Sequence, residues 1–330
     1  MAIGTTSTVD DARALGDVMA TTGWLPPPAG AFGLIALWSS MYGILSGKTL
    51  HLSEPGAPYA YPVKYDIELR DKGVTTVAFE QNLLVLTTGR PVLVQGQDPA
   101  GMTDSRLALS QPCASASSTV SFGHGACWAS KEGAAYAGGA GQAILTKGLL
   151  TPAQWKSLKP ETMVAGRWRG FYVVSYETGA GRKALMIDPL NPAGGIWWLS
   201  TGFDACWYDE TGDEFYVLEG GNVRRFEGGD TALLATFRSK VFHQTMPMNY
   251  AYAKVVASGY PVTLKVWSEY QDPETKAISM VLRLTKAVDG PDVFTLPSGF
   301  VSEDWQIEIS SEFSVQGLRL ANEPHLFRGM

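Results

Sequence analysis

A candidate base and a candidate nucleophile lie three residues apart in His124-Gly-Ala-Cys127, and a Cys/His pair in hydrogen-bonding range can generate a thiolate. The local pattern opposes that chemistry. His124 stands between two glycines in an expected turn, whereas Cys127 starts the next strand beside Trp128 and alternates toward a core. The four histidines, His51, His124, His243 and His325, never take the i, i+4 spacing of a helical metal site. The three cysteines, Cys113, Cys127 and Cys206, are odd in number and lack a CxxC pair, so buried, reduced thiols are expected and no disulfide framework or zinc cage.

Carboxylates cluster in Asp209-Glu-Thr-Gly-Asp-Glu214. Several oxygens could hold a hard cation, and two carboxyl groups at a fixed gap could cleave a glycoside. The series lacks calcium-loop spacing and sits between Trp207-Tyr208 and Phe215-Tyr-Val-Leu218, which reads as a solvated hairpin turn. Asp188, Asp204 and Glu219 fall near strand ends, where propeller enzymes often place their acids. Gly138-Gly-Ala-Gly-Gln142 and Gly179-Ala-Gly-Arg-Lys183 resemble phosphate loops only superficially, since neither completes GxxxxGK[ST] nor feeds an amphipathic helix. Both read as β-turns. No cofactor is expected.

The elements that would position these residues are short strands. Leu34-Ile-Ala-Leu-Trp38, Thr76-Val-Ala-Phe79, Thr119-Val-Ser-Phe122, Met163-Val-Ala-Gly166 and Phe203-Asp-Ala-Cys-Trp207 restart one pattern. They do so about every 40 to 45 residues, the period of a four-stranded propeller blade. The expected fold is therefore all-β: about five blade-like units of a β-propeller over residues 31–229, followed by a small antiparallel β-sandwich over 230–330. Hairpins are expected at Trp38–Gly43, Phe79–Leu83, Phe122–Ala126 and Asp209–Asp213. One helix is expected from Thr151 to Leu158, with Thr151 as N-cap, Pro152 in its first turn, and Trp155 and Leu158 on one face.

Residues 1–30 read as an arm, with a short helix over Asp11–Met19 and then extended Gly23-Trp-Leu-Pro-Pro-Pro28. In the sandwich region, Phe237–Phe242, Ala251–Val256, Val262–Trp267 and Gln306–Ile309 alternate with period two.

Of the ten tryptophans, Trp197, Trp198, Trp207 and Trp267 occur in strand-like surroundings and are read as sheet and blade packing, with sugar stacking as the exposed alternative. Trp24, beside Pro26, Pro27 and Pro28, is read as an interface anchor that fills a neighbour's pocket, against packing on its own first blade. The formal charge of −6 argues against a protein that grips nucleic acid by neutralising phosphates, while leaving room for a wall past which DNA slides. No apolar run reaches membrane-spanning length, and Met1-Ala-Ile-Gly-Thr-Thr6 lacks the basic and apolar regions of a signal peptide.

Pro26-Pro-Pro-Ala-Gly-Ala-Phe-Gly-Leu34, Leu50-His-Leu-Ser-Glu-Pro55, Ala60-Tyr-Pro62 and Leu84-Val-Leu-Thr-Thr-Gly89 resemble the later blades of β-propeller structural proteins in the tails of short-tailed bacteriophages. Gln111-Pro-Cys-Ala-Ser115, the stretch around Gln154-Trp155 and the closing module from Arg238 to Trp305 extend the resemblance over nearly the whole chain. It implies a role similar to the tail nozzle or tail-tube protein: a ring, typically of six subunits, that prolongs the portal and adaptor into the DNA exit channel and performs no chemistry. The implied partners are further copies of the chain, the adaptor or portal, tail fibre proteins and passing double-stranded DNA. The implied location is the virion, after synthesis in the host cytoplasm. Members of that family are commonly longer at the amino end. On this reading the interface residues are Trp24, Pro26, Pro27 and Pro28 of the arm, and Asp209, Glu210 and Asp213 at a hairpin tip. The alternative reading is a carbohydrate-binding or glycan-cleaving propeller at a cell surface.

Overall fold

The computed structural model describes residues 25–297 and 301–327. The chain divides between Gly228 and Gly229 into two compact units.

In the first unit, five antiparallel sheets follow one another in chain order. The first comprises β1 (Phe32–Ala36), β2 (Tyr42–Ser46), β3 (Thr49–Leu52) and β4 (Ile67–Glu68). The second comprises β5 (Gly73–Phe79), β6 (Asn82–Thr87), β7 (Val92–Gln95) and β8 (Thr103–Arg106). The third comprises β9 (Val120–Ser121), β10 (Gly125–Ala129), β11 (Ala134–Gly138) and β12 (Gly141–Ile144). The fourth comprises β13 (Val164–Trp168), β14 (Phe171–Thr178), β15 (Gly181–Ile187) and β16 (Trp197–Leu199). The fifth has three strands, β17 (Ala205–Asp209), β18 (Glu214–Glu219) and β19 (Asn222–Arg225). The five sequence restarts fall at the first strands of these sheets, and the expected all-β architecture of blade-like repeats is the one observed.

Each sheet is a meander, its strands paired in chain order and most of them joined by tight turns. The turn between β18 and β19 shows why glycine is needed there: Glu219 pairs with Asn222, and the two intervening residues, Gly220 and Gly221, have φ of 55° and 82°. A two-residue hairpin of this hand requires positive φ at both central positions. The glycine-rich stretches at 138–142 and 179–183 likewise close the β11/β12 and β14/β15 hairpins.

Neighbouring sheets meet along their first strands. Thr76 Oγ1 donates to the Gly33 carbonyl at 2.9 Å, Ser121 Oγ to the Ala78 carbonyl at 2.7 Å, and Cys206 Sγ to the Ala165 carbonyl at 3.2 Å. Between successive sheets lie four apolar cores, built around Leu45, Leu50 and Val85; Leu84, Leu86 and Trp128; Cys127, Trp155 and Tyr172; and Val173, Phe203 and Phe215. Among the described residues no such core joins the fifth sheet to the first.

Stacking sheet on sheet buries the middle strands on both faces. Every residue of β10 is buried, with Cys127 in one core and Trp128 in the other. That is why Leu83–Leu86 and Gly125–Ala129 read as continuous apolar or small runs instead of alternating. The expected one-sided alternation at Cys127 and Trp128 is corrected by this double burial. Fully burying a large aliphatic or aromatic side chain contributes about 1.5–3 kcal/mol, so these strands carry most of the array's cohesion.

The predicted helix is α1 (Pro152–Ser157). Thr151 Oγ1 accepts from the Gln154 N–H, and the Gln154 side chain reaches back to the Thr151 N–H. This capping box aims Trp155 into the core, where it is fully buried and its Nε1 donates to the Ser130 carbonyl at 2.8 Å.

The second unit is a β-sandwich of β20 (Ala235–Arg238), β21 (Phe242–Met248), β22 (Tyr252–Ala257), β23 (Val262–Gln271), β24 (Ile278–Val288), β25 (Phe294–Thr295), β26 (Ser302–Ser311) and β27 (Val315–Ala321). One sheet runs β20–β26–β23–β24, with β21 also paired to β26; the other runs β25–β22–β27. Val255, Leu264, Val266, Trp305 and Ile307 fill the space between them. The expected single strand over Phe237–Phe242 is two strands, interrupted at Ser239. Its hydroxyl accepts the Ile307 N–H at 3.0 Å in place of a backbone carbonyl, breaking the ladder.

Candidate interaction surface

The thiols are placed for packing. Cys127 is fully buried, and burial alone drives its thiol well above the ordinary value. Burial also pushes Cys113 and Cys206 up to about 11, which suppresses thiolate. The His124 ring lies beside Phe122 and Tyr136, with centroids 6.2 and 6.4 Å away. Among the described residues, no group of three or more His, Cys, Asp or Glu side chains is arranged to hold a metal ion, and no helix is long and apolar enough to cross a membrane.

The acidic hairpin between β17 and β18 uses its carboxylates locally. Asp209 accepts the Thr211 N–H at 3.0 Å, and Asp213 accepts the Tyr208 hydroxyl. Glu210 reaches Arg167 of the fourth sheet at 2.8 Å while its own side chain stays 80% exposed. Glu214 pairs with Arg225 at 2.8 Å and accepts the Tyr216 hydroxyl, and those two bonds, the Tyr216 one first, hold its carboxyl below the usual range. Asp188 accepts the Leu190 N–H, and Glu219 lies 3.5 Å from Arg224.

Of the arm residues, Trp24 lies outside the described residues, as does the expected helix over 11–19. Pro26 and Pro27 are exposed and Pro28 is half-buried. The arm enters along the chain's own first sheet, where the Leu25 carbonyl accepts the Tyr61 N–H at 2.8 Å.

The surface that sequence reasoning missed is the free face of the fifth sheet. Cross-strand register puts Trp207, Tyr216 and Arg225 in one row and Ala205, Leu218 and Val223 in the next. The opposite face, with Cys206, Val217 and Phe215, packs against the fourth sheet. On the free face Trp207 is 62% and Val223 72% exposed, and the Trp207 ring stacks on Tyr216 with centroids 5.8 Å apart and planes 27° from parallel. At the other end of the array Leu34 is 64% exposed, on the side of β1 opposite the core residue Ile35.

Trp207 was expected in the packing of sheets and blades, as were Trp197 and Trp198. Their rings do meet aromatic neighbours within their own sheets, Trp197 beside Phe171 and Trp198 beside Tyr176, but none of the three is in a core, since Trp197 and Trp198 are 59% and 51% exposed. These two sit on β16, the last strand of its sheet, where adjacent sheets do not close over both faces. Trp267 is half-buried beneath the Arg238 guanidinium, 4.3 Å from the ring centroid. Among the described residues, the fully buried tryptophans are Trp128, Trp155 and Trp305.

Two clefts bear on the reading. One, of about 340 Å³, lies in the sandwich against Phe237, Ile307, Ile309, Val315 and Leu318, with Ser239 and Gln316 as its polar side chains. The other, of about 150 Å³, lies between the second and third sheets and presents one carboxylate, Glu80, beside Asn82 and Gln142. Asn82 and Gln142 are engaged, with Gln95 Nε2 at 2.6 Å and the Leu109 N–H at 2.8 Å respectively.

No protein-family model matches the chain, and no curated protein matches it. Among solved structures, the chain is similar to a chain from a Saccharomyces cerevisiae assembly of Dbp5 with Nup159 and Gle1, at 11% identity and TM-score 0.34, covering 87% of this chain and 92% of that one. It is also similar to a glycoside hydrolase family 32 protein of Bifidobacterium adolescentis, at 10% identity and TM-score 0.24, covering 87% and 78%. A glycoside hydrolase family 43 arabinoxylan arabinofuranohydrolase of Bacillus subtilis follows at 9% identity and TM-score 0.26, covering 89% and 79%. Likenesses at these TM-scores carry no argument about the chemistry of this chain.

Proposed function

We propose that this chain is a structural subunit that buries the free faces of its sheet array in a larger assembly, and that the assembly is the tail of a short-tailed bacteriophage. The observation that carries the reading is the Trp207–Tyr216 stack on the open face of the fifth sheet. Each earlier sheet covers an apolar face of this kind with the next sheet, whereas here large aromatic and aliphatic groups stand in water. Exposed clusters of aromatic residues with an ion pair at their margin, here Arg225 and Glu214, have the composition of protein–protein contact sites. The resemblance of the Pro26–Leu34 and Gln111–Ser115 stretches to tail nozzle proteins supplies the kind of assembly. It is a ring around the DNA path, in contact with the adaptor or portal and with fibre proteins. The net charge of −6 suits a wall that does not hold passing DNA by counterion release.

Cryo-electron microscopy of particles from the source lysate tests the reading. A symmetric ring of this chain below the portal is expected, with Trp207 in a contact between chains. Its presence only as a free monomer, or only on fibres, would overturn it.

A second reading, glycan binding, is favoured by the exposed Trp197 and Trp198 rings, because sugar faces stack on indoles. Binding of oligosaccharides that is lost in Trp197→Ala and Trp198→Ala would select it.

A further inference from the structure

We propose that the outer rim of the fourth sheet, on its face toward the fifth, binds a neutral hexopyranose chain, with Trp197 as the stacking surface and Asp188 as the hydroxyl acceptor. The class of ligand rests on the glycan reading, and the structure chooses between the two tryptophans for it. Cross-strand register places Val173, Met186 and Trp197 in one row. Val173 and Met186 are buried in the core between the fourth and fifth sheets, so the row runs outward and ends at an indole that is 59% exposed. Trp198 lies on the opposite face, since its register partner Leu185 belongs to the core shared with the third sheet.

The Trp197 ring lies beside Phe171, with centroids 6.3 Å apart, and Phe171 lies beside Trp168 at 6.5 Å. Phe226 meets Trp168 edge-on at 5.2 Å, and the Arg169 guanidinium stands 4.8 Å from the Trp168 centroid. The aromatic run is thus anchored at its inner end, where it also carries a hydrogen-bond donor. Asp188 follows Ile187, the partner of Tyr172, and so leaves β15 beside Phe171, on the face that Met186 and Trp197 share. One of its oxygens, Oδ1, accepts the Leu190 N–H at 2.8 Å, which fixes the carboxyl without using the second oxygen. An exposed indole alone would suit a protein contact equally well. Rings joined to a carboxylate and a guanidinium select a sugar, because the C–H face of a pyranose stacks on the negative π face while its hydroxyls both donate and accept. The Asp188 charge and the net charge of −6 disfavour acidic sugars. Trp198 meets one ring, Tyr176 edge-on at 6.4 Å, and the residues that flank Leu185 on its face, Lys183 and Ile187, are not acids.

Titration calorimetry on the full chain tests it, with maltohexaose, cellohexaose and mannohexaose as probes and hexagalacturonate as an acidic control. At least one neutral probe is expected to bind, weakened about tenfold or more in Trp197→Ala and in Asp188→Ala, and by less than about threefold in Trp198→Ala. Asp188→Asn, which keeps an oxygen for the Leu190 N–H, should fall between the parent and Asp188→Ala. No binding of any neutral probe overturns the proposal and the glycan reading together. Binding that survives either Trp197→Ala or Asp188→Ala, or that is lost only in Trp198→Ala, overturns the proposal and leaves the glycan reading standing. Preference for hexagalacturonate overturns the neutral class. Should a variant fail to fold, NMR of the parent chain decides: the bound probe should shift the Trp197 indole N–H signal, and a shift confined to Trp198 overturns the proposal.

Discussion

Ser121 Oγ donates to the Ala78 carbonyl at 2.7 Å across the boundary between the third and second sheets, and Thr76 Oγ1 makes the matching bond to Gly33 one boundary earlier. The two donors are 45 residues apart in a chain whose sheets recur at nearly that period, so one side-chain bond has been reused to hold first strand to first strand. Both are part-buried, and their loss leaves a backbone carbonyl without its partner.

Ser121→Ala is therefore expected to cost about 1 kcal/mol of stability, as is Thr76→Val, and the pair to sum because the sites share no partner. Denaturant unfolding of the single and double variants measures this. A double variant as stable as the parent would remove the role assigned to these bonds.

Trp155 offers a larger effect. Its indole is fully buried and its Nε1 holds the Ser130 carbonyl. Trp155→Ala should cost about 3–5 kcal/mol through the cavity it leaves. Trp155→Phe, which keeps most of the packing but orphans the carbonyl, should cost about 1–3 kcal/mol. A Trp155→Phe variant as stable as the parent would show that the hydrogen bond adds nothing.

The free face predicts the opposite pattern. Trp207→Ser and Leu34→Ser remove exposed side chains, so stability should move by no more than about 0.5 kcal/mol. Self-association, followed by sedimentation or mass photometry, should weaken for Trp207→Ser. Unaltered assembly in that variant would detach the face from the proposed subunit contact.

His243 lies on β21 with Asp304 at 2.8 Å, Glu303 at 3.8 Å and Glu269 also contributing. The Asp304 hydrogen bond foremost, and then the surrounding negative charge, raise its pKa above 6.5. A histidine held protonated in this way adds stability that is fully present below 6.5 and is lost as pH rises through the raised value. Titration of the His243 ring by NMR should show the raised pKa, and Asp304→Asn should bring it down toward 6.5.

The thiols titrate in another window. With Cys113 and Cys206 pushed up to about 11 by burial against an ordinary 9.0, their contribution is intact below 9.0 and is lost as pH climbs through about 11. Native protein at pH 8 should react only slowly with a thiol reagent, and rapid labelling of Cys127 would contradict its burial.

Much of the array was legible in the residues. The restarts at Leu34, Thr76, Thr119, Met163 and Phe203 mark the five first strands because each sheet is one local unit closed by its own turns. Gly220-Gly221 and the Thr151/Gln154 capping box likewise act over a few residues, so their types alone predict what they do. Burial was less legible. Trp128 and Trp207 both sit in apolar strands beside a cysteine, yet one is sealed and the other 62% exposed. The difference is whether another sheet lies over the face, a relation between segments tens of residues apart that no local pattern records. The same holds for Ser239, whose hydroxyl breaks a strand only because Ile307 is folded against it. Sequence by itself determined the strands, the turns and their repeat, because these depend on backbone dihedrals and near neighbours. Tertiary structure alone decided that Trp207 and Val223 of the fifth sheet stand exposed while the middle strands of the earlier sheets are sealed on both faces, because burial depends on which distant segments come to lie alongside.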